Sequence, residues 1–138
     1  MHGNLIRVKA ELDSLDLVRR FIAAHAGAAG LPQSGAGDLL LAVDEAVSNI
    51  VMHGTRQTEV DIEVSVIAEP DGLTVTIRDN AAPFDPTAAI DPHLDSSPLD
   101  RDKPGGFGLH LLPRLVDRMV YRVTSDGRNE LALMKKRP

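Results

Sequence analysis

Residues 60–79 read VDIEVSVIAEPDGLTVTIRD. Val60, Ile62, Val64 and Val66 face one way, with Asp61, Glu63 and Ser65 opposite. After the EPDG turn, Leu73, Val75 and Ile77 alternate with Thr74, Thr76 and Arg78. A period of two along both arms predicts a half-buried antiparallel hairpin. Upstream, residues 38–53 place Leu39, Val43, Ala46, Val47 and Ile50 on one stripe, and Gly54 follows as a stop. That spacing predicts a strong amphipathic helix. Further upstream, GAAGLPQSGAG reads as turn chemistry, and residues 14–27 form a helix opened by Asp13 or Ser14. Residues 4–10 alternate as an opening strand. Downstream, a helix over roughly residues 107–118 leads into a second hairpin: Met119, Tyr121 and Val123, then SDGR, then Leu131 and Leu133.

The chain has 138 residues, 43% hydrophobic and 25% charged, so one domain spanning 1–138 is expected. A net charge of -5 argues against a globally basic nucleic-acid or membrane binder. The absence of cysteine excludes disulfides, a thiolate nucleophile and cysteine-ligated metal, and it fits a cytoplasmic location. Apolar stretches are short and the N-terminus does not read as a signal peptide. Aromatics make up 3% of the chain, so the core is aliphatic and no stacking platform for single strands is available.

Three features carry possible chemistry. Glu45, Asn49 and His53 recur every fourth residue along the strong helix. Alone, such a stripe reads as a solvated face, yet an asparagine inside a helix needs a reason. A carboxylate there can serve as general base, and an amide oxygen suits a hard cation such as Mg²⁺. Gly105-Gly106-Phe107-Gly108-Leu109 opens the next helix, where exposed N–H groups can seat phosphate. Glycines there equally suit a tight turn, and neither a P-loop nor GxGxxG occurs in the chain. Asp79 ends a strand, where it can cap a turn or accept a hydrogen bond from an exocyclic amine. Between Asp79 and the glycines lies a segment, residues 80–104, rich in proline and aspartate and without apolar periodicity. Its length marks it as a lid, a binding loop or a disordered insert.

EAVSNIVMHG (45–54), RDNAAPFDP (78–86) and GGFGLHLLPRLVD (105–117) stand in the order seen in the Bergerat-fold (GHKL) ATPases. Within that superfamily the chain most resembles the anti-sigma-factor serine/threonine kinases. The resemblance covers nearly the whole sequence. It implies an α+β two-layer sandwich, with about five strands in a mixed or largely antiparallel sheet, three helices on one face and an ATP lid near residues 80–104. It also implies that Asn49 coordinates Mg²⁺, that Glu45 activates the attacking hydroxyl, and that Asp79 binds the adenine amino group. Ala81 then lines the adenine pocket, and the segment Gly106, Phe107, Gly108 and Leu109 holds phosphates. Lys103 or Arg101 would reach the γ-phosphate, and His53 is structural.

Two departures from the family pattern are Ala81, where glycine is common, and Pro113, inside the third helix. An interior proline costs about 3 kcal/mol, so the helix is kinked or its regular part starts near Pro113. The implied function is a Mg²⁺/ATP-dependent kinase of a bacterial partner-switching system. It would sequester a sigma factor or another regulator and phosphorylate a Ser or Thr of an anti-sigma-factor antagonist, with a homodimer as the expected assembly. The competing reading is a non-catalytic, nucleotide-gated binding module. A histidine-kinase catalytic domain is the weaker option, because the sequence holds no phospho-acceptor hairpin.

Overall fold

The computed structural model describes residues 4–54, 59–88 and 109–138. Five strands form one sheet in the order β1-β2-β3-β5-β4. They are β1 (Leu5–Lys9), β2 (Asp61–Glu69), β3 (Gly72–Asp79), β4 (Arg118–Val123) and β5 (Asn129–Lys136). Every neighbouring pair is antiparallel, so the mixed option is set aside among the described residues. Among the described residues the helices given in full are α1 (Ser14–Ala28), α2 (Gln33–Gly54) and the short α3 (Leu112–Leu115). The β2–β3 turn closes with Glu69 opposite Gly72, as the alternation predicts. Only glycine fits at 72, where an added Cβ would lie 2.2 Å from the Lys135 carbonyl oxygen.

The alternating residues of the opening hairpin sort as expected. Ile62, Val64, Val75 and Ile77 are buried and form one cluster with Ile22 of α1 and Val43 and Val47 of α2. Burying each such side chain contributes about 1.5–3 kcal/mol. Gly30 ends α1 at φ 75°, the left-handed conformation in which glycine carries no Cβ penalty. The Gly30 N–H donates to the Gly27 carbonyl and the Leu31 N–H to the Ala26 carbonyl, and buried Leu31 then seals the turn.

Three boundaries differ from expectation. The first turn of α2 begins at Gln33, inside the stretch read as a turn, because the Pro32 carbonyl accepts from the Ala36 N–H at 2.8 Å. Two glycines in that turn disfavour helix by about 1 kcal/mol each. The Lys135–Asp38 ion pair at 3.2 Å ties this turn to β5 and works against that cost. Asp13 sits at the start of α1 but makes no side-chain capping bond. Among the described residues Leu109 is helical, His110 and Leu111 form a turn, and a separate single helical turn starts at Leu112, with Pro113 in the first-turn position where its missing N–H leaves no bond unmade. It stops at Leu115, and β4 already starts at Arg118.

The opposite face of the sheet carries a row of alternating charge. Arg7, Glu63, Arg78, Glu130 and Arg122 are cross-strand neighbours in that order, one from each strand. Glu63 accepts from Arg7 at 3.0 Å and from Arg78 at 3.1 Å, while Glu130 accepts from Arg78 and Arg122, each at 2.6 Å. Hydrogen bonding to Arg122 is the main reason the Glu130 carboxyl lies below its ordinary range, against the opposing effect of burial. For Glu63 burial is the largest single influence and pushes upward, yet the bonds to Arg7 and Arg78 outweigh it. A carboxylate lowered in the fold stabilises it above the unfolded pKa, and that contribution fades as pH falls through the folded value. Glu130→Gln is therefore expected to flatten the loss of urea stability below about pH 4.3, the ordinary glutamate value. An acid limb identical to that of the parent chain would contradict the ladder's role.

Candidate functional site

Along α2, Glu45 and Asn49 are one turn apart, about 6 Å along the axis. Asn49 is 5% exposed, and among the described residues its Oδ1 has no hydrogen-bond partner. A buried amide oxygen left without a donor costs about 1–3 kcal/mol, which sets Asn49 apart from the other buried positions of α2. Across from it, β3 delivers Asp79 at its last position, 6% exposed. Asp79 Oδ1 accepts from the Ala81 N–H at 2.9 Å and from Asn129 Nδ2 at 3.0 Å. Both of these bonds fall on the same carboxylate oxygen. The carboxylate thus caps the turn after β3 and still offers an acceptor. Burial is the main cause that raises its proton affinity above the ordinary aspartate range, and the bonds from Asn129 and Ala81 oppose it.

Asn49, Asp79 and Ala81 line one cavity of about 250 Å³. Ile50, Ile77, Phe84 and Leu131 supply its apolar walls. That volume lies below the ~300–1,000 Å³ of pockets that hold a whole drug-sized molecule. It suits a ring, with the rest of the ligand outside. Few polar groups converge in an apolar box, which is the arrangement that orients a heterocycle by one or two hydrogen bonds.

Glu45 does not line this cavity. It stands one turn from Asn49, half-buried, with its carboxyl raised above the ordinary glutamate range, first by burial and then by the neighbouring charge of Asp44. Asp44 in turn pairs with Arg19 of α1 at 2.7 Å. Leu109 is buried in the core, so its side chain does not face a ligand and only its backbone could contribute to phosphate binding. Arg101, Lys103, Gly106, Phe107, Gly108 and the side chain of His53 lie outside the described residues.

Two residues went unnoticed in the sequence. Asn129, at the start of β5, and Tyr121 of β4 both line the cavity, and the Tyr121 hydroxyl donates to Asn129 Oδ1. A faint signal existed for the first: asparagine is a poor opener of a strand. Its partner, though, lies 50 residues away and is set by the β3–β5 register. Among the described residues no group of three or more His, Asp or Glu side chains is placed to hold a metal ion. A cation at Asn49 would therefore complete its shell from water and ligand oxygens, which is how Mg²⁺ is commonly held.

A family described as the histidine kinase-like ATPase domain matches residues 8–135, and the chain belongs to it. ATP is accordingly the nucleotide its members use. Among curated relatives, the chain is 38% identical over 96 residues to the serine/threonine-protein kinase BtrW of Bordetella bronchiseptica, covering 69% of this chain and 66% of that protein. It is 29% identical over 122 residues to the serine-protein kinase RsbW of Listeria monocytogenes, covering 85% and 78%. It is 25% identical over 115 residues to RsbW of Bacillus cereus, covering 81% and 72%. The crystal structure of the RsbU and RsbW domains of Rv1364c from Mycobacterium tuberculosis superposes with a TM-score of 0.62 at 15% identity. That match covers 97% of this chain and 33% of the other, and it shows a shared fold. No helix among the described residues is long and apolar enough to cross a membrane.

Proposed function

We propose that this chain is an ATP-dependent protein serine/threonine kinase that acts as an anti-sigma factor in a partner-switching system. The observation that carries the proposal is that Asn49, whose buried Oδ1 has no partner among the described residues, lines the same cavity as Asp79. An oxygen suited to a cation and a carboxylate suited to an amine, both at one ring-sized apolar cavity, fit a magnesium-bound adenine nucleotide. The names of the kinase relatives support the same reading.

In this reading Asp79 accepts a hydrogen bond from the adenine amine through Oδ2, and Ala81 and Phe84 confine the ring. Asn49 would hold Mg²⁺, which when bound neutralises phosphate charge. The backbone of Gly106, Phe107, Gly108 and Leu109, with Lys103, is assigned to the phosphates. Glu45 orients the hydroxyl of a Ser or Thr on the antagonist domain and accepts its proton as the oxygen bonds to the γ-phosphorus. The bond to the β,γ-bridging oxygen breaks, and ADP leaves. Raised proton affinity makes Glu45 a better acceptor than an exposed glutamate, and most of the remaining barrier is lowered by alignment.

The test is transfer of γ-labelled phosphate from ATP to a Ser/Thr-bearing antagonist domain in the presence of Mg²⁺. Label on the antagonist's hydroxyl supports the kinase. Tight ATP binding with no transfer to any antagonist tried leaves a nucleotide-gated binding module, and sequestration of the sigma factor is then read by competition with the antagonist.

A further inference from the structure

Two consecutive carboxylates, Asp44 and Glu45, stand on α2, and the fold treats them differently. Asp44 is committed to the neighbouring helix, its Oδ1 accepting from Arg19 Nε of α1 at 2.7 Å. The Asp44 side chain is 21% exposed and that of Arg19 46%, so the bond is only partly screened by water. The row continues outward along α1, where Asp16 acts on Arg19 and pairs with Arg20 at 3.0 Å. Charge thus alternates inward through Arg20, Asp16, Arg19 and Asp44 and ends at Glu45, whose carboxyl is raised first by burial and then by Asp44. Charged groups on the other elements packed against α2 are tied elsewhere. Lys135 of β5 bonds Asp38 and the Leu115 carbonyl, Asp79 of β3 caps the turn that follows it, and Arg78 and Glu130 pair on the far face of the sheet. Arg114 of α3 is exposed.

We propose that Arg19 is a positioning residue for phosphoryl transfer: it holds Asp44 against α1 and cancels the charge that would otherwise stand beside the base. A paired Asp44 presents Glu45 with a nearly neutral dipole, whose field falls off faster than that of a bare carboxylate. Without Arg19, a full negative charge sits next in sequence to Glu45, and two close carboxylates resist ionising together. Glu45 then keeps its proton to higher pH, and a smaller share of it is ready to accept the proton of the incoming hydroxyl. The bond also settles which of the two carboxylates serves. Asp44, held to α1, is withheld from the hydroxyl, and Glu45 is the one left for it.

This inference rests on the kinase reading with Glu45 as base, and one arm of the experiment needs no catalysis. The Glu45 carboxyl of the ligand-free full chain, labelled with ¹³C and assigned with Glu45→Gln, is titrated by NMR. The parent, Arg19→Gln, Asp44→Asn and the double variant are compared. Arg19→Gln is expected to move the Glu45 midpoint upward and Asp44→Asn to move it downward. The double variant should match Asp44→Asn, because Arg19 acts through Asp44. An unmoved midpoint in Arg19→Gln, or an equal shift in both backgrounds, would overturn the proposal. The second arm is phosphate transfer from ATP and Mg²⁺ to an antagonist domain across pH. On the acid side Arg19→Gln should transfer roughly threefold more slowly than the parent, the worth of one nearby charge in a largely aqueous setting, and the gap should close at higher pH. A merely structural role, or a direct contact of Arg19 with the antagonist, slows transfer alike at every pH and counts against the proposal. Midpoints that move without a shift of the acid limb remove Glu45 as the base, and the proposal falls with it. A parent chain that transfers at no pH removes the kinase reading itself.

Discussion

Glu45→Gln is expected to lower phosphoryl transfer by about 10²–10⁴-fold, the usual worth of a positioned general base. ATP affinity should stay close to that of the parent chain, because Glu45 does not line the cavity in which Asn49 and Asp79 meet. The split matters: a fall in kcat with unchanged nucleotide affinity is the mark of an interaction made only with the reacting hydroxyl. Labelled-phosphate transfer and calorimetry on the same preparation read the two quantities. Loss of ATP binding in step with transfer would remove Glu45 from the base role. The parent enzyme should also lose activity as pH falls through the Glu45 pKa, and that limb should lie above the ordinary glutamate range, because burial and then Asp44 raise it.

Asn49→Leu is expected to act in opposite directions on binding and on stability. Without Oδ1 the magnesium-dependent gain in ATP affinity should largely disappear, by tenfold or more, while metal-free ATP binds nearly as before. The ligand-free protein, however, should unfold at higher urea, since a buried oxygen without a donor has been replaced by a side chain that needs none. The gain expected is about 1 kcal/mol, at the low end of the cost of an unsatisfied buried group. Titrations with and without Mg²⁺ and urea melts of the ligand-free chain are the two measurements. A less stable variant would mean that Oδ1 is satisfied in solution, and unchanged magnesium dependence would remove Asn49 from the cation site.

How far the sequence could be read followed the physics of each element. The β2–β3 hairpin was readable because one face is buried and the other wet, which writes a period of two into the side chains. The helical period over 38–53 was as clear, but the first turn of α2 was hidden by Gly35 and Gly37, whose poor propensity is overridden by the tertiary ties of that turn, among them the Lys135–Asp38 ion pair. Pro113 warned correctly that a long third helix was unsafe. Within the site, Asn49 stood out because an amide within a helix departs from what the element wants, whereas Asp79 at a strand end read equally well as a turn cap and was singled out by the family resemblance. Asn129 and Tyr121 carried almost no local signal. Their place in the cavity is created by strand order, with β5 between β3 and β4, and no window of sequence contains that.

The same strand order has a consequence for biosynthesis. β4 has no partner in the sheet until β5 exists, and Asp79 waits 50 residues for Asn129. At the ~5–20 residues per second of translation, that is about 3–10 s during which the β3 edge is unpaired on a nascent chain. Such an edge invites pairing with other chains. The nucleotide cavity is thus among the last features to close, and a ribosome-bound chain lacking β5 would hold the α1, α2 and β1–β3 portion without a place for the base. Chaperone occupancy during synthesis should accordingly peak in the interval between β3 and β5.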